Sequence, residues 1–180
     1  MKLYISDLHF GHGNAIEFDH RPFADIEEMD EALIWLWNDR VQKDDEVYII
    51  GDFAYRNAKP EEWYLERLKG KKHLIIGNHD HKLLQNEKAL SYFESIEKMK
   101  HISDVGNQIC LCHFPIAEWN GYRHGAYHIY GHIHGSTDET YQFMKTRDKA
   151  LNAGCMINRY APASFQELII NNEIFKEMVG

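Results

Sequence analysis

Cysteine is scarce in this chain: Cys110, Cys112 and Cys155 are the only three among 180 residues. An odd number without regular spacing builds no disulfide framework and fits a reducing compartment. Long apolar runs are missing too. The stretch from Leu33 to Trp37 falls far short of the roughly 20 residues a membrane-spanning helix needs, so no membrane partner is expected. The opening Met1-Lys2-Leu3-Tyr4-Ile5-Ser6 meets a carboxylate at Asp7, too early for a secretory leader, and the expected location is cytoplasmic. Positive charge is in deficit, with 20 Lys+Arg against 28 Asp+Glu and a formal net charge of −8. Long nucleic acids bind chiefly through phosphate neutralisation and counterion release. An acidic chain with no basic stripe is therefore not expected to hold one. Repeats, low-complexity tracts and Pro/Gly/Ser linkers are lacking as well, which leaves residues 1–180 as a single domain.

What the chain does have is 44% hydrophobic residues, enough for a real core, and 12 histidines, an outlier for its length. Short apolar runs alternate with longer amphipathic ones, the rhythm of an α/β protein. Lys2 to Ser6, Glu46 to Ile50 and Lys72 to Ile76 read as strands. Asp25 can cap a helix to about Arg40, with Ile26, Met29, Leu33, Leu36 and Trp37 on one face. Pro60 suits the first residue of a helix ending before Gly70, and a helical stretch runs from about Lys82 to Leu90. The second half reads as β-rich: Glu97 to Ser103, Gln108 to Cys112, and His128 to Tyr130. Phe165 to Ile170 and Glu173 to Met178, around Asn171-Asn172, are expected to close the fold as a hairpin.

The polar clusters sit where strands stop. They are Asp7-Leu8-His9, Gly51-Asp52, Gly77-Asn78-His79-Asp80, His113-Phe114-Pro115 and Gly131-His132-Ile133-His134. In open α/β sheets the carboxyl ends of strands are where ligands bind. Residues two apart on an extended backbone project to the same side, so Asp7 with His9, and His132 with His134, can each reach one ion or two adjacent ions. Imidazole plus carboxylate, with no thiolate, suits Mn, Fe or Zn better than Ca or Mg. Gly-Asp alone carries little information; the whole set in this order, each block closing an apolar run, carries a great deal.

In these blocks the sequence resembles the calcineurin-like metallophosphoesterase superfamily, whose pattern reads Asp-x-His, Gly-Asp, Gly-Asn-His-Asp/Glu, a lone His and Gly-His-x-His. Leu151-Asn152-Ala153-Gly154 is similar to the segment that usually follows, and Arg21-Pro22-Phe23 with Trp37-Asn38 looks like a small bacterial and phage branch. The resemblance implies a four-layer α/β/β/α sandwich of two mixed β-sheets flanked by helices. It implies two divalent ions, manganese foremost, with iron, zinc, nickel or cobalt as alternatives. Asp7, His9 and His134 would hold the first ion, Asn78, His113 and His132 the second, and Asp52 would bridge them. His79 would serve the leaving oxygen, with Asp80 orienting its imidazole. A hydroxide between the ions would attack phosphorus in line. The expected substrate is a small phosphoester, a nucleotide among the candidates, with a diester slightly preferred. A phosphomonoesterase or nucleoside polyphosphate hydrolase is the rival, and a silent binding scaffold the rival of another class. Either a monomer or a homodimer is compatible with the chain.

Three further residues are candidates to touch substrate: His12 and Asn14, which follow the first block, and Arg21, whose guanidinium could grip a phosphate bidentately. Arg56, Arg123 and Arg159 are weaker candidates for the same grip. The acidic run Glu27-Glu28-Met29-Asp30-Glu31 reads as a solvated helix start. Cys110 and Cys112 read as small apolar residues of a strand.

Overall fold

The computed structural model describes residues 1–179. Its strands form two sheets of four. The first takes β1 (Lys2–Ile5), β2 (Glu46–Ile49), β3 (Lys71–Ile75) and β4 (Phe93–Glu97) in that order, parallel throughout. The second takes β5 (Met99–Asp104), β6 (Asn107–Cys112), β7 (Tyr127–Tyr130) and β8 (Ala150–Asn152), with β5 antiparallel to β6 and the rest parallel. Only the second sheet is therefore mixed. The helices are α1 (Asn14–Phe18), α2 (Ile26–Arg40), α3 (Glu61–Leu65), α4 (Glu87–Leu90), α5 (Glu139–Met144) and α6 (Phe165–Val179). Among the described residues no helix is long and apolar enough to cross a membrane.

Strand alternation builds the layers. In β1, Leu3 and Ile5 face outward to Met29, Leu33 and Trp37 of α2, whereas Tyr4 faces inward. Inward residues of both sheets, Tyr4, Tyr48 and Ile75 with Ile109, Leu111 and Ile129, make the central core. On the far side Cys110, Tyr130 and Ala150 pack under Tyr141 and Met144 of α5. Helix, sheet, sheet, helix is the resulting order. Asp25 caps α2 as expected, its carboxylate accepting the Glu28 amide at 2.9 Å.

Several expectations fail for identifiable reasons. The strand expected over Glu97 to Ser103 is two strands in different sheets, with only Lys98 between β4 and β5. The stretch Lys82 to Leu90 breaks into a 3₁₀ turn at Leu83–Gln85 and the short α4, because Asn86 caps the latter through the Ala89 amide. The closing hairpin is instead the single helix α6. Ser164 and Glu167 form a reciprocal cap at its start, the Glu167 carboxylate accepting the Ser164 amide at 2.7 Å and the Ser164 hydroxyl accepting the Glu167 amide at 3.4 Å. Asn172 is no turn residue: its side chain accepts the Asn152 amide at 2.8 Å and donates to the Asn152 carbonyl at 3.0 Å, satisfying the free edge of β8.

One buried polar group bears on stability. His128 of β7 has no exposed surface. Its Nδ1 donates to the Cys110 carbonyl at 3.1 Å, and its Nε2 accepts the Ile116 amide at 3.2 Å. That pairing fits only the neutral ring. Burial accordingly pulls its pKa down from 6.5 to about 4.

Candidate metal centre

Asp7 and His9 follow β1, Asp52 follows β2, Asn78 follows β3, His113 follows β6, and His132 and His134 follow β7. All seven emerge at the carboxyl ends of strands. The geometry of the paired blocks differs from the extended backbone expected. Asp7, His9, Asp52, His132 and His134 all take the left-handed conformation, with φ between 52 and 72°. Each pair reaches the site through two sharp turns rather than through the pleat. Such residues cost about 1–3 kcal/mol each in strain, tolerated best by Asp, Asn and His. Two glycines make room beside them. A Cβ on Gly131 would lie 1.8 Å from Ser6 Oγ and 2.8 Å from Asp7 Oδ2, and one on Gly77 would lie 2.3 Å from Asp52 Oδ1. These two serve close approach, and Gly51, at φ +82°, serves the turn.

Asp7, His9, Asp52 and His134 offer ligand atoms that all lie within 4.8 Å of one another. His9 is 1% exposed, and neither of its ring nitrogens has a hydrogen-bond partner. Burial pushes its pKa far down, helped by His134 and Arg21, so both the ring and its lone pair are available to a cation. A second group lies alongside. His113 Nδ1 donates to the Ile50 carbonyl at 2.8 Å, which leaves Nε2 as the ring's accepting nitrogen. That nitrogen faces Asn78 Oδ1 at 3.0 Å and Asp52 Oδ2 at 3.5 Å, while His132 Nδ1 is 2.9 Å from the same Asn78 oxygen. The His113 nitrogen facing the Asn78 and Asp52 oxygens, acceptor against acceptor, is reconciled by a cation between them, so the donor set fits metal. Asp52 Oδ2 is also 3.5 Å from His9 Nε2, which puts one carboxylate oxygen between the two groups. Burial and the nearby Asp7 charge raise the pKa of Asp52.

The surroundings hold these side chains in place, in part through residues assigned otherwise from sequence. Asp80 does not orient His79. Its carboxylate, fully buried, accepts the amides of Gly77 at 2.7 Å, Phe53 at 2.9 Å and Asp52 at 3.0 Å, lashing the loop after β3 to the loop after β2. Burial pushes its pKa up to about 6 against the pull of those three amides. Arg21 is not free to grip a phosphate either. Its side chain is sealed from solvent and every N–H is engaged: Asp7 and Leu8 carbonyls at 2.8 Å, the Met29 sulfur at 3.8 Å, and Asp19 Oδ2 at 2.8 and 3.0 Å. Asp19, which no motif marked, also accepts His134 Nδ1 at 2.9 Å. That bond fixes the tautomer and leaves His134 Nε2 facing Asp7 Oδ1 at 3.8 Å. Although burial lowers the pKa of His134, the Asp19 hydrogen bond and the Asp7 and Asp19 charges outweigh it, and the net shift is upward.

Asp30 is a further correction. Only 2% exposed, it accepts the Gly11 amide at 2.9 Å and the Tyr64 hydroxyl at 3.0 Å, tying α2 to the first ligand loop. Asn152 donates to the His134 carbonyl at 2.8 Å, which gives the Leu151-Asn152-Ala153-Gly154 segment its part in the site.

No protein-family model matches the chain. The uncharacterised Methanocaldococcus jannaschii protein MJ1445 is 32% identical over 171 residues, spanning 93% of this chain and 89% of its own length. The chain belongs to the MJ1445 family. The gene 66 protein of Mycobacterium phage L5 is 32% identical over 160 residues, 73% of this chain and 76% of the phage protein. Among solved structures, the Aquifex aeolicus protein of unknown function AQ665 superposes with a TM-score of 0.71 at 27% identity, across 93% of this chain and 96% of that one.

In this MJ1445-family member His79 stands at the mouth of the centre. It is half-buried, its amide donates to Asp52 Oδ1 at 2.9 Å, and its ring packs 4.2 Å from Tyr55 and 5.4 Å from His9. His12 is brought to the same wall, its ring 5.4 Å from His9 and 4.8 Å from Tyr55, with its pKa lowered by burial and by Arg56. Asn14 is not brought there: exposed, it lines a surface hollow with Gly13, Glu17 and Asp25. Arg56 lies over the Tyr55 ring at 5.3 Å, Arg123 pairs with Glu118 at 3.6 Å, and Arg159 lines a separate hollow against α6.

Proposed function

We propose that this protein is a metal-dependent phosphoesterase of the calcineurin-like type, built for two divalent ions and acting on phosphodiesters. The observation that carries the reading is Asp52 Oδ2, 3.5 Å from a ligand nitrogen of each group. Asp7, His9 and His134 would hold one ion, Asn78, His113 and His132 the other, and Asp52 would serve both. Imidazole, carboxylate and amide donors together favour manganese, iron or zinc. Two such ions supply Lewis acidity and a strongly acidified water.

The chain's own part is positional and electrostatic. Asp7 and Asp52 neutralise half the charge of two divalent ions, which leaves a positive well for an anionic phosphoryl group inside an acidic protein. Asp80, Asp19 and Arg21 fix the ligand loops so that the site does not reorganise during reaction. His79, half-buried and free of any ligand role, can hand a proton from its ring to the departing oxygen. Asn78 and His132 are exposed and His79 half-buried at this rim, so a substrate with groups on both sides of phosphorus can enter.

Metal-stripped protein titrated with manganese, zinc, nickel and magnesium, with bound metal counted in parallel, tests this. Two ions per chain and faster cleavage of bis-p-nitrophenyl phosphate than of p-nitrophenyl phosphate are expected. Cleavage of the monoester alone would replace the diesterase by a phosphatase, and absence of metal uptake would end the reading.

A further inference from the structure

Two phenylalanines interrupt the polar rim of the centre, one on each side. Phe18, the last residue of α1, is 51% exposed, with its ring 5.3 Å from His134, 5.7 Å from His12 and 6.3 Å from His9. Phe114 is 45% exposed, with its ring 4.7 Å from His132 and 5.1 Å from His113. Their neighbours sort cleanly: Phe18 lies against the first ligand group and Phe114 against the second. Neither residue belongs to the three clusters of buried side chains that make the core. Both forgo much of the stabilisation that burial of a phenylalanine brings, while sitting beside imidazoles.

A hollow of about 450 Å³ opens beside Phe18, walled by Asp19, Ile133, His134 and Ser136. That is within the roughly 300–1,000 Å³ of small-molecule sites. Arginines that could hold additional phosphates are few at this rim. Arg21 is sealed, Arg123 is paired with Glu118, and Arg159 lines another hollow, which leaves Arg56 next to Tyr55. Affinity for a larger substrate can then draw on surface contact with the two rings.

We propose that Phe18 and Phe114 are stacking platforms for the two bases that flank a phosphodiester, and that the substrate class is a short single-stranded nucleotide diester of dinucleotide scale. This rests on the phosphoesterase reading and adds the identity of the groups on either side of phosphorus. The net charge of −8 keeps the substrate short, since a long strand would need a basic track. Base–aromatic stacking is sequence-tolerant and worth roughly 5- to 150-fold in binding per base.

The test uses the full chain loaded with manganese. It compares kcat/KM for a thymidine dinucleoside monophosphate with the same compound lacking its 5′ base, its 3′ base, or both. The base-bearing diester is expected to be preferred at least fivefold for each base. In Phe18→Leu the contribution of one base should be lost, and in Phe114→Leu that of the other. The ratio between substrates is the readout, so a general loss of activity in a variant does not enter it. Equal kcat/KM for base-bearing and abasic diesters, or one variant erasing both contributions while the other erases none, overturns the proposal. Binding of the same compounds to metal-loaded His79→Asn by isothermal titration separates the two readings. Base preference in binding without turnover by the parent leaves the platforms standing and removes the esterase. Diester turnover without base preference does the reverse.

Discussion

Acidification should destabilise this protein through His128 by an amount the structure sets. The ring has no exposed surface, and burial, which penalises its charged form, lowers its pKa from 6.5 to about 4, while the neutral ring donates from Nδ1 and accepts at Nε2. A histidine whose folded pKa is depressed gives up stability as pH falls, because the unfolded chain takes a proton that the folded chain refuses. The window therefore opens near the unfolded value and closes near the folded one. Between pH 7 and pH 5 the linkage integral comes to about 2 kcal/mol. For a domain of this size that is a fall of roughly 4–8 °C in Tm. Urea unfolding of chelator-treated protein at both pH values, for the parent and for His128→Gln, isolates the effect. The histidines of the metal centre are common to both and cancel. His128→Gln is expected to start less stable, having lost a fitted ring, yet to lose about 2 kcal/mol less than the parent on acidification. Equal losses in the two proteins would refute the argument.

Other perturbations read the centre directly. Asp19→Asn removes the charge that holds His134, and metal affinity at the first group should fall roughly 10- to 100-fold, measured by competition with a chromophoric chelator. Gly131→Ala forces a methyl into Ser6 Oγ and Asp7 Oδ2, so it should lower both thermal stability and metal uptake, and normal values of both would contradict the packing described. His79→Ala is expected to retain both ions while turnover drops, whereas Asp52→Ala should lose ions as well, read by metal analysis of the purified variants. An emptied metal position in His79→Ala would show that residue to be a ligand.

The convergence of the polar blocks was legible because metal chemistry restricts residue types, and because a strand followed by a polar block is a pattern one dimension can carry. Its supports were not. Nothing in a linear sequence distinguishes a guanidinium facing solvent from one spent wholly on two carbonyls, a sulfur and a carboxylate, as in Arg21. Asp80 was read as a partner of its neighbour His79, yet it bonds across to Asp52 and Phe53. Asp30 was hidden in an acidic helix start by companions that are solvated. The misread α6 is a different case. Asn171-Asn172 imitates a turn, but Ser164 and Glu167 carry the spacing of a helix start, and that signal was available. The boundary between β4 and β5 could not be read because one residue separates strands of two sheets, and neither propensity nor period changes there.

The left-handed turns have a consequence for the life of the chain in a cell. A fold that places Asp7, His9, Asp52, His132 and His134 in an unfavourable basin, with the His9 nitrogens unpartnered, is weakest before it has met its ions. Binding at about a thousand times Kd would add roughly 4 kcal/mol to the folded state. Newly made copies that fail to load are thus the ones that open most often, and the ones a protease reaches first. Under the proposed metal loading, supply of the ions would therefore enter the protein's abundance through the differential survival of loaded and unloaded copies.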